Sequence, residues 1–146
     1  MKVFNRILCP IDFDENSLMA LSLAGRLASQ NEAELYLLHI CSTAFIPLGG
    51  SVPDWDTEEH SAKRRIKEIA DRQLPDIRYD LFVTTGDVAE RVIAVQSGLK
   101  ADLIVIGTHG RRGVPRFFLG SVAERVIREA ACPVLTVRKD DSVEIA

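Results

Sequence analysis

Residues 103–127 have the sequence LIVIGTHGRRGVPRFFLGSVAERVI, and this stretch decides the fold. It passes from an apolar, β-branched run through a glycine-rich loop to a segment whose apolar residues are three to four positions apart. Residues 103–106 therefore predict a buried strand, and a helix is predicted to begin near Gly120 and Ser121 and to stop before Pro133. A strand, a loop and a helix in succession form the repeating unit of a parallel sheet covered by helices.

The rest of the chain repeats this unit. Four further apolar runs predict strands at residues 3–10, 35–41, 79–84 and 134–137. Segments with helical spacing separate them: the first begins at Asp14 or Asn16, the second covers residues 57–73, and the third begins at Asp87 and ends at Gly98. Strands that are apolar on both faces and alternate with helices predict a doubly wound, Rossmann-like α/β fold, a five-stranded parallel sheet with helices on both faces.

Composition narrows the classes of protein. The chain has 146 residues, of which 47% are hydrophobic and 27% charged, so we expect one globular domain over residues 1–146. Its net charge of −3 argues against a nucleic-acid-binding protein. No segment is apolar enough for a signal peptide or a membrane span, so a cytoplasmic protein without a membrane partner is expected. The three cysteines are far apart in sequence and predict packed thiols at strand ends.

A ligand crevice is expected where the winding of the sheet reverses. In such sheets ligands bind outside the carboxyl ends of the strands at this point. Chain order makes the first and fourth strands neighbours there, so the residues that follow them should converge. Those after the first strand are Pro10, Ile11 and Asp12; those after the fourth, which ends at Ile106, are Gly107, Thr108, His109 and Gly110.

The loop after the fourth strand has the features of an anion site. Gly107, Gly110, Gly120 and Ser121 form a G-x2-G-x9-G-S pattern, which average residue usage would produce in only about 0.5% of chains this long. The helix that starts at Gly120, Ser121 and Val122 offers unpaired N–H groups and the positive end of its dipole to a phosphate. Arg111, Arg112 and Arg116 add positive charge, with no acidic residue between Gly107 and Gly120.

Other interpretations of these residues remain open. The glycines could serve turns only, and the arginines could be a solvated loop. The pattern is neither a Walker loop nor G-x-G-x-x-G. Asp12 could accept hydrogen bonds from a ribose or act as a helix-entry carboxylate. Ile40 could offer its backbone to an adenine edge, while its side chain belongs to the core.

The three histidines carry weaker signals. His109 could reach a phosphate, but no serine or cysteine nucleophile accompanies it in a recognisable arrangement. His39 is expected to be a satisfied buried histidine, and His60 a surface residue. The basic run Lys63, Arg64, Arg65 and Lys67 is expected to be a solvated helix face.

Over nearly its whole length the chain resembles a single-domain universal stress protein, through ILCPIDF, LYLLHI and, most specifically, IGTHGRRGVPRFFLGSVAERVIREAACPVLTVR. The resemblance implies the sheet order 3-2-1-4-5 and membership of the ATP-binding branch. It places Asp12 and the backbones of Ile11 and Ile40 around the adenosine. Gly107, Gly110, Gly120, Ser121 and Val122 would surround the phosphates.

The resemblance also implies a homodimer formed through the last strand, from Pro133 to Arg138. An apolar edge strand has backbone groups that need covering, so this is physically reasonable.

Three functions are compatible with the sequence. The first is an ATP-binding stress-response or signalling module, in which the nucleotide, with Mg²⁺ or Mn²⁺ carried by its phosphates, changes the affinity of a dimer for an unidentified protein partner. The second is a slow ATPase or a phosphoryl- or adenylyl-transfer enzyme; of the usual requirements only charge neutralisation is visible, and no catalytic residue is assigned. The third is a dimeric scaffold that binds no nucleotide.

Overall fold

The computed structural model describes residues 2–43, 49–108 and 119–138. Within them the sheet has the strands β1 Arg6–Pro10, β2 Glu34–Ser42, β3 Asp80–Gly86, β4 Leu103–Gly107 and β5 Val134–Val137. Their order is β3-β2-β1-β4-β5, and every pair is parallel. The predicted doubly wound fold and strand order are confirmed. The central strand β1 pairs with β2 on one side and with β4 on the other.

Two layers of helices bury the sheet. Helices α1 (Glu15–Asn31) and α2 (Trp55–Gln73) contribute to one core, and α3 (Val88–Leu99) and α4 (Ser121–Glu129) contribute to the other. Side chains of β1 alternate between the cores, since Ile7 and Cys9 belong to the first and Leu8 to the second. Of the helices in the described part of the chain, none is both long and apolar enough to cross a membrane.

The first strand is shorter than predicted, because it begins at Arg6 and not at residue 3. The N–H groups of the residues before it donate to side chains, although the Asn5 carbonyl accepts from the Glu34 N–H of β2 at 2.9 Å. The N–H groups of Val3 and Phe4 donate to Asn31 Oδ1 at 3.0 and 3.2 Å, and that of Asn5 donates to Asp102 Oδ2 at 2.8 Å. These contacts are remote in sequence, so no local pattern could reveal them.

Helix ends follow the predicted capping chemistry with two corrections. Asp14 is the N-cap of α1 and Asp87 that of α3, as predicted, whereas α2 begins two residues before Thr57 with Asp54 as its cap. Helix α3 does not end at Gly98. It continues to Leu99, and Lys100 takes the left-handed C-cap conformation with φ 54°. Its N–H bonds to the last turn, which satisfies orphaned carbonyls of the helix.

The cysteines match the prediction of packed thiols. Cys9 is fully buried, Cys41 and Cys132 are half-buried, and all three are free. Burial raises the pKa of the Cys9 thiol to about 12. Cys9 is therefore protonated and unreactive at neutral pH.

Candidate functional site

A cleft of about 490 Å³ lies at the carboxyl ends of β1 and β4, where the winding reverses. Its volume is in the range of small-molecule sites, roughly 300–1,000 Å³. It is lined by Pro10, Ile11, Asp12, Ser17, Leu38, His39, Ile40, Ser42, Val88, Ile106, Gly107, Leu119, Val122 and Ala123. Ten of these fourteen residues are apolar or glycine, and the polar ones are Asp12, Ser17, His39 and Ser42.

The structure brings seven of the predicted site residues together in this cleft. They are Pro10, Ile11, Asp12, Ile40, Ile106, Gly107 and Val122. Gly120 and Ser121 lie between two lining residues, Leu119 and Val122, at the start of α4. The remaining four, His109, Gly110, Arg111 and Arg112, fall outside the described residues, as does Arg116.

The segment that carries Asp12 is fixed by hydrogen bonds from three directions. The Ile11 N–H donates to the Leu38 carbonyl at 2.8 Å, and the Asp12 N–H donates to Ser17 Oγ at 2.7 Å. His39 Nδ1 lies 2.7 Å from the Ile11 carbonyl; because a carbonyl only accepts, Nδ1 carries the hydrogen and donates it. The backbone of Ile11 is therefore engaged within the fold, whereas Asp12 Oδ1 accepts from the Asp14 N–H at 2.7 Å.

Gly107 is required by packing against α1. A Cβ atom added there would lie 2.6 Å from the backbone carbon and oxygen of Asn16 and the nitrogen of Ser17. Next to it, the buried Asn16 side chain donates from Nδ2 to the Thr108 carbonyl, and the Thr108 N–H donates to the Val137 carbonyl at 2.9 Å. The first turn of α1 is thus joined directly to the end of β4.

Thr108 does not line the cleft, although the sequence placed it in the crevice. It is 2% exposed, and its Oγ1 has no hydrogen-bond partner within the described structure. Thr108→Val, which replaces the hydroxyl by a methyl group of similar size, is therefore expected to raise the free energy of unfolding by up to about 1 kcal/mol. Urea denaturation measures this. A loss of 1 kcal/mol or more would show that the hydroxyl has a partner in the folded protein.

The N-terminus of α4 also borders the cleft, through Leu119, Val122 and Ala123. Gly120 is its N-cap, with φ 87° and ψ 152°, a conformation open essentially to glycine only. Among the described residues, no side chain accepts a hydrogen bond from this end. The first N–H groups of the helix, together with its dipole, are therefore available to an anion.

Phe13 packs against His39, a lining residue of the cleft, with ring centroids 5.4 Å apart. The guanidinium carbon of Arg65, on α2, is 3.8 Å from the centroid of the Phe13 ring. Arg65 is exposed, as expected of a solvated helix face, and its guanidinium in addition makes a cation–π contact with Phe13. His39 is satisfied as expected but half-buried, and His60 is exposed as expected.

Sequence reasoning missed several lining residues, notably Ser17 and Val88. Ser17 lies in the first turn of α1, and Val88 directly follows the predicted cap Asp87. The sequence could have suggested both residues, since each lies at a helix start that follows the carboxyl end of a strand. The sequence pattern does not show in which direction each side chain points.

A larger cavity, of about 810 Å³, lies at the other end of β2 and β3 beside α2. Its polar groups bond to one another: Lys67 Nζ lies 2.9 Å from Asp71 Oδ2, and the Tyr79 hydroxyl donates to Asp71. Burial, reinforced by this bond, raises the pKa of Tyr79 to about 12. This cavity is not at the switch point of the sheet, where ligands bind in folds of this class, so we favour the smaller cleft.

Comparison with known proteins supports the fold described above. A model of the universal stress protein family matches residues 4–138. Universal stress protein MJ0531 of Methanocaldococcus jannaschii is 33% identical, over 94% of this chain and 84% of the relative. The solved structure of MJ0577, from the same organism, is 26% identical with a TM-score of 0.75, over 94% and 98% of the two chains. A universal stress protein crystallised in complex with cAMP has a TM-score of 0.71 at 20% identity, over 94% and 99%.

Proposed function

We propose that this chain, which belongs to the universal stress protein family, binds an adenine nucleotide, ATP foremost, in the cleft between β1 and β4. The bound nucleotide would set the affinity of a dimer for a protein partner in a stress response. One observation carries the proposal: a helix N-terminus that no described side chain caps and a carboxylate held at Oδ1 border the same largely apolar cleft. A nucleotide has complementary groups at its two ends.

The adenosine would lie on the side of β1 and β2. Ile40 is two residues past Leu38, the last residue of β2 that pairs with β1. Alternate residues of a parallel strand turn their N–H and C=O toward the same neighbour. Ile40 therefore turns both groups toward the space where β1 has ended, as one donor and one acceptor for an adenine edge.

The backbone of Ile11 is a weaker candidate than the resemblance implied. Its N–H and its carbonyl already have partners in Leu38 and His39. Asp12 keeps one carboxylate oxygen, Oδ2, for which the described structure gives no hydrogen bond. We therefore assign contact with the ribose to Asp12, and to Ile11 only the apolar wall.

The phosphates would lie at the start of α4, against Gly120, Ser121 and Val122. The unpaired N–H groups and the helix dipole favour negative charge at this point. The sequence adds His109, Gly110, Arg111, Arg112 and Arg116, which precede this helix in the chain, as further candidates. Mg²⁺ or Mn²⁺ would arrive on the phosphates themselves.

The dimer would form through β5. Within the described residues this strand lies at an edge of the sheet and pairs only with β4, and Leu135 on it is 38% exposed. An edge with unpaired backbone groups and an exposed apolar side chain is suited to pairing with a second copy. Strand β1 pairs with β4, which pairs with β5, and α4 directly precedes β5 in the chain. A ligand that shifts either β1 or α4 would therefore also shift the strand at the dimer interface.

Calorimetric titration tests the function. After removal of any bound ligand, the protein is expected to bind ATP, ADP and AMP at one site per chain. GTP should bind more weakly by roughly tenfold or more, because its base reverses the donor and acceptor that face Ile40. Equal affinity for GTP would contradict the Ile40 assignment, and no binding of any nucleotide would favour the scaffold. Release of phosphate over many turnovers would favour the enzyme.

A further inference from the structure

Ser17 stands out among the cleft residues because no motif includes it. It lines the cleft, is 5% exposed, and accepts the Asp12 N–H on Oγ at 2.7 Å. It is the third residue of α1, counted after the N-cap Asp14. In a capping box the side chain at this position returns to the N–H of the cap. Here it reaches two residues further back, to the residue that faces the ligand.

The contacts around Asp12 leave its carboxylate little freedom. Ser17 holds the main chain of Asp12, and the Asp14 N–H holds Oδ1. One bond holds the backbone nitrogen of Asp12 and the other holds Oδ1, so both the main chain and the side chain are restrained. The second oxygen, Oδ2, has no hydrogen bond within the described structure.

Ser17 itself is held in place by the rest of the fold. Its backbone nitrogen lies against Gly107, where an added Cβ would approach to 2.6 Å. Asn16, beside it, is bonded to the Thr108 carbonyl. The Ser17 hydroxyl is therefore anchored to the end of β4, and through it Asp12 is placed relative to both strands that form the cleft.

We propose that Ser17 is a positioning residue for ribose recognition: by holding the Asp12 N–H it aims the Asp12 carboxylate at the ribose hydroxyls. This inference rests on the proposed nucleotide site. Its distinguishing consequence is that the loss of Ser17 matters only for ligands whose ribose carries hydroxyl groups. A serine needed only for folding would not distinguish such ligands.

The test compares AMP with 2′,3′-dideoxy-AMP in calorimetric titrations of the full chain. The unsubstituted protein should prefer AMP. Ser17→Ala should weaken AMP binding between about 2- and 13-fold, the equivalent of one hydrogen bond, and leave dideoxy-AMP binding unchanged. In an Asp12→Ala background, Ser17→Ala should have no further effect on either ligand. Ser22→Ala, at an exposed position on the same helix, is the matched control and should change neither affinity.

Each other outcome counts against a specific claim. Equal losses for both ligands, or no loss for AMP, would overturn the positioning role. If the unsubstituted protein binds both ligands equally, Asp12 does not contact the ribose and the inference fails while nucleotide binding stands. If it binds neither, the proposed function fails and takes the inference with it. Should Ser17→Ala not fold, Ser17→Cys, whose sulfur is a weak acceptor, allows the same comparison.

Discussion

Gly107→Ala is expected to lower the free energy of unfolding by about 1–3 kcal/mol, the usual cost of forcing an extra methyl group into a packed interior. The new Cβ would lie 2.6 Å from three backbone atoms of Asn16 and Ser17. Backbone atoms cannot rotate away as a side chain does, so the first turn of α1 must move as a unit. Urea denaturation followed by circular dichroism measures the loss.

Gly98→Ala provides the matched control. This glycine lies in α3, and a Cβ atom added to it would have no atom within 4 Å. The substitution should therefore raise the free energy of unfolding, by about 0.5–1 kcal/mol, through helix propensity alone. If Gly107→Ala is as stable as the unsubstituted protein, α1 and β4 are not in the close contact described here.

The topology was predictable because it depends on patterns that repeat along the chain. Each strand is a short apolar run and each helix has its own stripe, so chain order and the rule for ligand sites fix which ends converge. Asp12 and Gly107 could be named as neighbours for this reason alone. The N-caps Asp14 and Asp87 were predictable because capping chemistry is local.

The errors have a common physical origin in contacts between distant segments. Asn5 bonds to Asp102, 97 residues away, which shortens β1. Lys100 takes a left-handed conformation that glycine usually occupies, in a turn where the Ala101 N–H and the Gln96 side chain add bonds of 3.0 Å. In each case tertiary bonding outweighed the local preference.

The position of a residue in the fold was easier to predict than the contacts that require that residue there. The glycine pattern was interpreted as an approach path for phosphate, yet at Gly107 the close neighbours are Asn16 and Ser17 of α1. Ser17 was missed because no sequence pattern shows which group its hydroxyl contacts. Its importance depends on the side chain turning back toward Asp12, and only the three-dimensional arrangement of the first turn of α1 reveals this.

Gly120→Val is expected to weaken ATP binding by a factor of about 5 to 150 through backbone strain alone. At φ 87° and ψ 152° a valine would be strained by roughly 1–3 kcal/mol. If the free protein relieves this strain by moving the start of α4, ATP must restore the original geometry and affinity falls by the corresponding factor. The branched Cβ would in addition occupy the space assigned to the phosphates.

Because the strain also acts on the free protein, the measurement needs both an unfolding curve and a second variant. Ser121→Ala leaves the backbone at Gly120 unchanged and removes only a hydroxyl from the first residue of α4. It should weaken ATP binding by no more than about tenfold. A folded Gly120→Val protein that binds ATP as tightly as the unsubstituted chain would mean that the phosphates do not lie at this helix N-terminus. A large loss for Gly120→Val beside a small one for Ser121→Ala would indicate that the backbone N–H groups, more than the serine hydroxyl, hold the phosphates.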